Sequence, residues 1–164
     1  LYAWNPDTGN LTMVGPFDWP SDGGGHQMTD IAIDYDGLLF GVTFDRVYRC
    51  SAINAKCIVL ATLPSSFNGL TVVPAGTVDP AKEALIGVGN NGSWNLVEPQ
   101  GNQATITPLG SYGSGYTSSG DAYSIEGQGT YAAVNSPSFF GGDVLVKVDP
   151  VSGQVQSEIG ELQG

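Results

Sequence analysis

The chain has 164 residues, the length of one domain, and a formal net charge of −11 from 16 acidic and 5 basic residues. This charge would repel nucleic acid and an anionic membrane surface, and no apolar run approaches the ~20 residues that a membrane-spanning helix needs. Only 13% of the residues are charged, while 24 glycines and 10 prolines fall between short apolar runs. The pattern predicts an all-β domain with many turns, with no nucleic-acid partner and no membrane insertion.

The first predicted element is a β-hairpin in "YAWNPDTGNLTMVG", and similar segments recur along the chain. Apolar residues alternate up to an acid or amide, a Pro and a nearby Gly in "LVEPQGNQATITPLG" and "VKVDPVSGQVQSEIG" as well. In "VYRCSAINAKCIVLATL", Ser51 occupies the position of Asn5, Glu98 and Asp149. Pro sets φ, the polar side chain caps the turn and Gly accepts a positive φ, so these segments predict turns and not calcium loops.

A second type of hairpin precedes three of these four segments. It occurs in "MTDIAIDYDGLLFGVTF", "GLTVVPAGTVDPAKEALIGVG" and "GDAYSIEGQGTYAAV". Two inner and two outer strands then form each unit, with a period of about 46 to 51 residues, and the total is 14 strands. Repeated four-stranded units of this length are typical of β-propeller blades. We predict one partial β-propeller over residues 1–164, with an outer hairpin at 1–15 and blades at 16–63, 64–110 and 111–164.

The phrases "DIAID", "DG", "LFGVT" and "DPVSG" resemble those of secreted bacterial β-propeller repeat proteins, and the resemblance covers nearly the whole chain. It implies the fold and says almost nothing about activity. About 3.5 blades cannot close a ring. We therefore expect a fragment of a larger propeller, or a subunit completed by further blades from the same precursor or another chain. Tyr2, Trp4, Leu11 and Met13 need a cover, so the first hairpin should pair with strands from outside residues 16 to 110.

Cys50 and Cys57 flank the loop "SAINAK" and should face each other across the two strands of a hairpin. Opposed residues at a non-hydrogen-bonded pair are close enough for a disulfide. Two buried free thiols are the alternative. A disulfide would indicate an oxidising compartment, and we expect an extracellular, periplasmic or cell-surface location.

Two motifs suggest cofactors but lack the required context. "GVGNNG", residues 87–92, matches a dinucleotide fingerprint, yet a strand and not a helix should follow it. "DYDG" resembles the start of an EF-hand loop, but Thr43 occupies the position of the bidentate Glu. We predict no cofactor and no metal.

Catalytic groups are few. His26 is the only histidine and lies in "DGGGHQM", with no evident partner to orient it, so we assign no catalytic residue. Paired carboxylates for glycoside chemistry remain an alternative. The acids in or beside predicted loops that could supply them are Asp22, Asp30, Asp45, Asp121 and Asp143.

The long Gly- and Ser-rich loops should share one face of the propeller and bind a partner there. Aromatic rings beside polar groups suit protein or carbohydrate surfaces, although we expect about half of the rings to pack between blades. The candidate binding residues are Trp19, Asp22, His26, Phe67, Asn91, Tyr112, Tyr116, Phe139 and Phe140.

Three functions follow from these expectations. The first is an extracellular, non-enzymatic module that recognises protein or glycan through the long-loop face. The second is a hydrolase or lyase that acts on polysaccharide with two loop carboxylates. The third is a structural piece of a surface filament or of an assembly of several chains.

Overall fold

A computed structural model describes residues 1–21, 27–138 and 142–162. These residues form 14 β-strands and no helix, so the predicted all-β class and strand number are confirmed. The strands are β1 (Tyr2–Trp4), β2 (Leu11–Met13), β3 (Asp30–Ile33), β4 (Leu39–Val42), β5 (Arg46–Cys50), β6 (Cys57–Thr62), β7 (Gly69–Val73), β8 (Ala84–Val88), β9 (Ser93–Gln100), β10 (Gln103–Ser111), β11 (Thr117–Ile125), β12 (Gly129–Asn135), β13 (Asp143–Val148) and β14 (Val155–Glu161).

Alternation of side chains explains why these segments form strands. In β13, Val144, Val146 and Val148 are buried, while Leu145 and Lys147 between them are half-exposed. Successive side chains of a strand point to opposite faces, so every second residue enters the core. β-Branched valines also suit a pleated, half-buried surface.

Twelve of the strands form three antiparallel runs of four, which we call the first meander (β3–β6), the second meander (β7–β10) and the third meander (β11–β14). Within each run every strand pairs with the next in the chain. Only the third meander is a separate four-stranded sheet.

The first and second meanders belong to one eight-stranded sheet, a feature that the sequence did not predict. A single parallel pair, Thr62 with Gln103, joins β6 to β10. The two edge strands of this sheet, β3 and β7, approach each other, and the Leu70 N–H donates to Asp30 Oδ2 at 2.7 Å. The Thr29 hydroxyl also donates to the Phe67 carbonyl at 3.3 Å. The sheet is therefore nearly closed and barrel-like.

Three clusters of buried side chains hold the meanders together. The second and third meanders share a cluster that includes Ile86, Trp94, Val134 and Val146. The first and second meanders share one that includes Val42, Val47, Leu70 and Val97. In the third cluster, Leu39, Tyr48, Cys50 and Cys57 of the first meander pack with Leu1, Phe17, Trp19 and Met28.

The outer turns share one hydrogen-bond pattern in three of the four predicted hairpins. The side chains of Asn5, Ser51 and Asp149 each accept bonds from the N–H groups two and three residues later. Their carbonyls each accept a bond from the N–H four residues later. The turn after Glu98 differs, because strand pairing there continues from Val97 as far as Gln100. The turns close through their own bonds, as predicted.

The predicted disulfide is confirmed. Cys50 and Cys57 are bonded, are directly opposite in the β5–β6 register, and are both buried.

The first hairpin differs from the rest of the fold. β1 and β2 form a two-stranded sheet, and neither pairs with another strand of the described residues. The pairing expected with strands from outside residues 16 to 110 is therefore not seen in this structure. The side chains of Tyr2, Trp4, Leu11 and Met13 are 58–65% exposed.

Candidate functional site

The inner strands of the three meanders meet at Asp30, the first residue of β3. The carboxylate accepts the Leu70 N–H of β7 at Oδ2 and its neighbour Ile31 N–H at Oδ1, both at 2.7 Å. The Ala122 N–H of β11 is a further backbone donor to it. One acid thus contacts the first strand of every meander.

Burial raises the pKa of Asp30 to about 7. The N–H groups of Leu70, Ile31 and Ala122 lower this pKa, whereas the nearby carboxylate of Asp121 raises it further. Burial disfavours the charged form because the carboxylate loses its hydration. Asp30 is therefore partly protonated near neutral pH, as a group that gives and takes protons would be.

The other acids of the proposed hydrolytic pairs have different surroundings. Asp45 accepts the Thr43 hydroxyl at 2.9 Å and forms an ion pair with Arg46 at 3.6 Å. Asp143 is exposed at the start of β13. Asp22 lies outside the described residues.

Two of the predicted binding aromatics are core residues. Phe67 is 2% exposed, and its ring lies so close to Gly87 that a Cβ added there would meet it at 2.7 Å. Tyr112 is 1% exposed and packs against Trp94, with ring centroids 6.1 Å apart. Burial also raises the pKa of the Tyr112 hydroxyl. Neither ring lies on the surface in this structure.

The remaining described candidates are at least partly accessible. Trp19 is half-buried and packs edge-on against Tyr48, with ring centroids 5.2 Å apart. Tyr116 is half-exposed and donates its hydroxyl to Glu158, a bond that raises the pKa of the tyrosine. Asn91 is exposed, and its Oδ1 accepts the Ser93 N–H at 3.1 Å.

His26, Phe139 and Phe140, like Asp22, lie outside the described residues. The long-loop face is therefore represented here by Trp19, Asn91 and Tyr116. These three residues are on separate loops, and the two aromatic ones are already engaged with other side chains.

An open cleft of about 470 Å³ lies at the opposite ends of the inner strands. Tyr35 and Asp36, the loop from Pro74 to Glu83, and Glu126 line it. The Glu83 carboxylate accepts the Tyr35 N–H at 3.1 Å, which ties the turn after β3 to the loop after β7. The cleft belongs to the face of the tight turns, where the sequence predicted no binding.

Two sheet faces with accessible apolar side chains are candidates for contact with a protein partner. The first, which we call the hairpin face, consists of Tyr2, Trp4, Leu11 and Met13. Tyr2 is opposite Met13 and Trp4 is opposite Leu11, so all four side chains share one side of the β1–β2 sheet. Ala3 and Thr12 are on the other side.

The second, which we call the third-meander face, has the apolar residues Tyr123, Tyr131, Ala133 and Leu145, with Lys147 opposite Tyr131 on the same side. Tyr123 pairs with Tyr131 across β11 and β12, and their rings stack 5.2 Å apart. Ala133 pairs with Leu145 across β12 and β13. Tyr123 is 43% exposed, and the other three residues are half-buried. The alternation in "GDAYSIEGQGTYAAV" identifies this face.

Residues that could hold a metal do not gather in the part of the chain that the structure describes. No group of three or more His, Cys, Asp or Glu side chains suited to an ion occurs there. Across the same residues no helix is long and apolar enough to span a bilayer.

No protein-family model matches this chain, and no curated protein matches it in sequence.

Proposed function

We propose that the chain is an extracellular, non-catalytic interaction module with a partial β-propeller arrangement, which binds protein through exposed apolar faces of its sheets. The two faces carry the proposal. Large apolar side chains that are about 60% exposed on one sheet face are typical of contact surfaces. Three four-stranded meanders whose inner strands converge on Asp30 support the arrangement.

The composition of the hairpin face favours protein over glycan as the partner. Glycan recognition needs accessible rings beside polar groups, whereas Tyr2 and Trp4 lie beside Leu11 and Met13 on this face. The disulfide is compatible with the proposed location, since such bonds persist in oxidising compartments.

Photo-crosslinking on the source cells tests this function. We would introduce p-benzoylphenylalanine at Met13, in the hairpin face, and at Ile53 as a matched control. Ile53 is 90% exposed but lies at the tip of the β5–β6 turn, away from both faces. We expect a protein adduct at position 13 and none at position 53. Equal adducts at both positions, or none at either, would contradict the proposal.

A second candidate function is cleavage of a polysaccharide, by hydrolysis or by the elimination reaction of a lyase. The raised pKa of Asp30 and the neighbouring carboxyl group of Asp121 favour it, because two carboxyl groups, one of which has a raised pKa, are the pair that such chemistry uses. Against it, both oxygens of Asp30 already accept backbone N–H groups.

Release of reducing ends from a panel of polysaccharides tests this candidate. An enzyme would lose at least ~100-fold activity in both Asp30→Asn and Asp121→Asn, and would keep it in Asp143→Asn. Absence of activity in the unsubstituted chain would exclude the candidate for that panel.

A further inference from the structure

The three outer hairpins with the shared turn can be compared residue by residue. The shared turns begin at Asn5, Ser51 and Asp149. The residues immediately before them are therefore equivalent, and these are Trp4, Cys50 and Val148. Each of these residues is directly opposite its counterpart on the next strand, which is Leu11, Cys57 or Val155. Two residues earlier, Tyr2 corresponds to Tyr48 and Val146. The hairpin face is thus one copy of a surface that occurs three times.

The other two copies of this surface are covered. Tyr48 and Val146 are both 0% exposed, and Cys50 and Val148 are 4% and 0% exposed. Val146 and Val148 pack in one cluster with Ile86 and with other residues of the second meander. By contrast, Tyr2 and Trp4 are 58% and 65% exposed.

The second meander repeats the same contact with the first. Val97 immediately precedes Glu98, as Trp4 precedes Asn5, and it is 2% exposed. It packs in one cluster with Val42 and Val47 of the first meander. In both complete examples, this surface of one meander packs against the meander that precedes it in the chain.

The surface that the preceding meander contributes to each contact also recurs. Val42 pairs with Val47 as Ala133 pairs with Leu145. Three residues before Val42 and Ala133, Leu39 pairs with Cys50 as Thr130 pairs with Val148, so the two registers match. The third-meander face is therefore the copy of the surface with which the first meander covers Val97.

The chain thus exposes one copy of each half of its own repeated contact. Among residues 1–21, 27–138 and 142–162, no meander lies over the hairpin face or over the third-meander face. We propose that the hairpin face of one chain packs on the third-meander face of a second copy, in a head-to-tail contact. This inference rests on the proposed interaction function and names the partner as a second copy of this chain.

A head-to-tail contact uses two different surfaces, so it forms a ring or an open filament and does not stop at a dimer. The contact is small, because the hairpin contributes two short strands, and we expect affinity in the micromolar range or weaker.

The net charge of −11 opposes association between copies. Added salt should therefore strengthen it by screening the repulsion.

Sedimentation equilibrium on the 164-residue chain and two variants tests the contact. Trp4→Asp disrupts the hairpin face and leaves the third-meander face intact. Tyr123→Asp does the reverse, at a side chain that is 43% exposed. Thr12→Asp, on the other side of the same hairpin, is the matched control for charge.

The unsubstituted chain and Thr12→Asp should increase in average mass from about 10 µM to about 500 µM. Each disrupting variant alone should stay monomeric, whereas an equimolar mixture should form a 1:1 dimer and nothing larger. A monomeric unsubstituted chain, a disrupting variant that associates by itself, or a mixture that stays monomeric would each overturn the proposal.

Cross-link mapping gives a second readout that does not depend on a disrupting charge. With p-benzoylphenylalanine at Met13, adducts in the concentrated chain should map to residues 117–135 of another copy. Adducts elsewhere would overturn the contact. In the cell experiment described above, an adduct with a different protein would contradict the second-copy partner and leave the interaction function standing.

Discussion

The β1–β2 and β5–β6 hairpins have the same turn and the same register but different surroundings. Asn5 and Ser51 cap the two turns with the same bonds, and Tyr2 and Tyr48 occupy equivalent positions. Yet Tyr2 is 58% exposed, and Tyr48 is 0% exposed. Local sequence therefore determines the hairpin, while burial depends on whether another element lies over it.

The largest expected effect comes from truncating the two equivalent tyrosines. Tyr48→Ala should destabilise the chain by about 3–5 kcal/mol, because it removes a fully buried ring from the cluster with Trp19. Tyr2→Ala should change stability by less than about 0.5 kcal/mol. Urea denaturation of both variants checks the difference, and equal losses would show that the first hairpin is packed in solution.

A second prediction concerns pH and the acid that joins the meanders. The folded-state pKa of Asp30, about 7, exceeds its ordinary value of 3.8, so the folded chain binds this proton more tightly than the unfolded chain. The contribution of Asp30 to stability should therefore fall as pH rises from about 4 to about 7, by up to about 4 kcal/mol, and level off above that.

Urea midpoints across this pH range, for the unsubstituted chain and for Asp30→Asn, measure the contribution as a difference. Asp143→Asn, at an exposed acid, is the matched control. A difference curve that rises with pH would mean that the backbone N–H bonds to Asp30 outweigh its burial.

The disulfide provides a third prediction. Cys50→Ala with Cys57→Ala should cost about 2–3 kcal/mol, because the bond closes a short loop. Trp4 and Leu11 are opposite each other in the same register, so Trp4→Cys with Leu11→Cys should also form a disulfide. Alkylation under denaturing conditions should find no free thiol in the unsubstituted chain or in this variant. Labelled thiols at positions 4 and 11 would show that the two hairpins differ in register.

A fourth and smaller effect is expected at the turn glycines. Gly9 and Gly153 both have a positive φ, of 70° and 74°, and Ala55 occupies the same turn position at 58°. Gly9→Ala should therefore cost only about 1 kcal/mol of backbone strain. Gly153→Ala should cost more, since its Cβ would lie 2.6 Å from the side chain of Trp94. Thermal melting compares the two variants, and an equal loss would contradict the close approach of Trp94.

Much of the fold was predictable because strands and tight turns leave local patterns. Alternating valines identified β13, and the spacing of Cys50 and Cys57 predicted their bond. The link between β6 and β10 was not predictable, because one backbone pair between Thr62 and Gln103 has no side-chain pattern.

The candidate site was less predictable than the fold. Phe67 and Tyr112 lie in Gly-rich loops, where a buried ring and an exposed ring have the same sequence context. The role of Asp30 depends on Leu70 and Ala122, which are remote in sequence. Burial set by contacts between distant strands cannot be derived from local alternation.

Hydrogen exchange at two equivalent amides measures whether the first hairpin is covered. Thr12 is opposite Ala3 as Ile58 is opposite Arg49, so the two amides have the same register, in an isolated hairpin and in a hairpin that belongs to the eight-stranded sheet. In the dilute chain, Thr12 should exchange at least ~100-fold faster than Ile58, and it should slow as the chain is concentrated while Ile58 does not change. Equal protection of the two amides at low concentration would contradict the account.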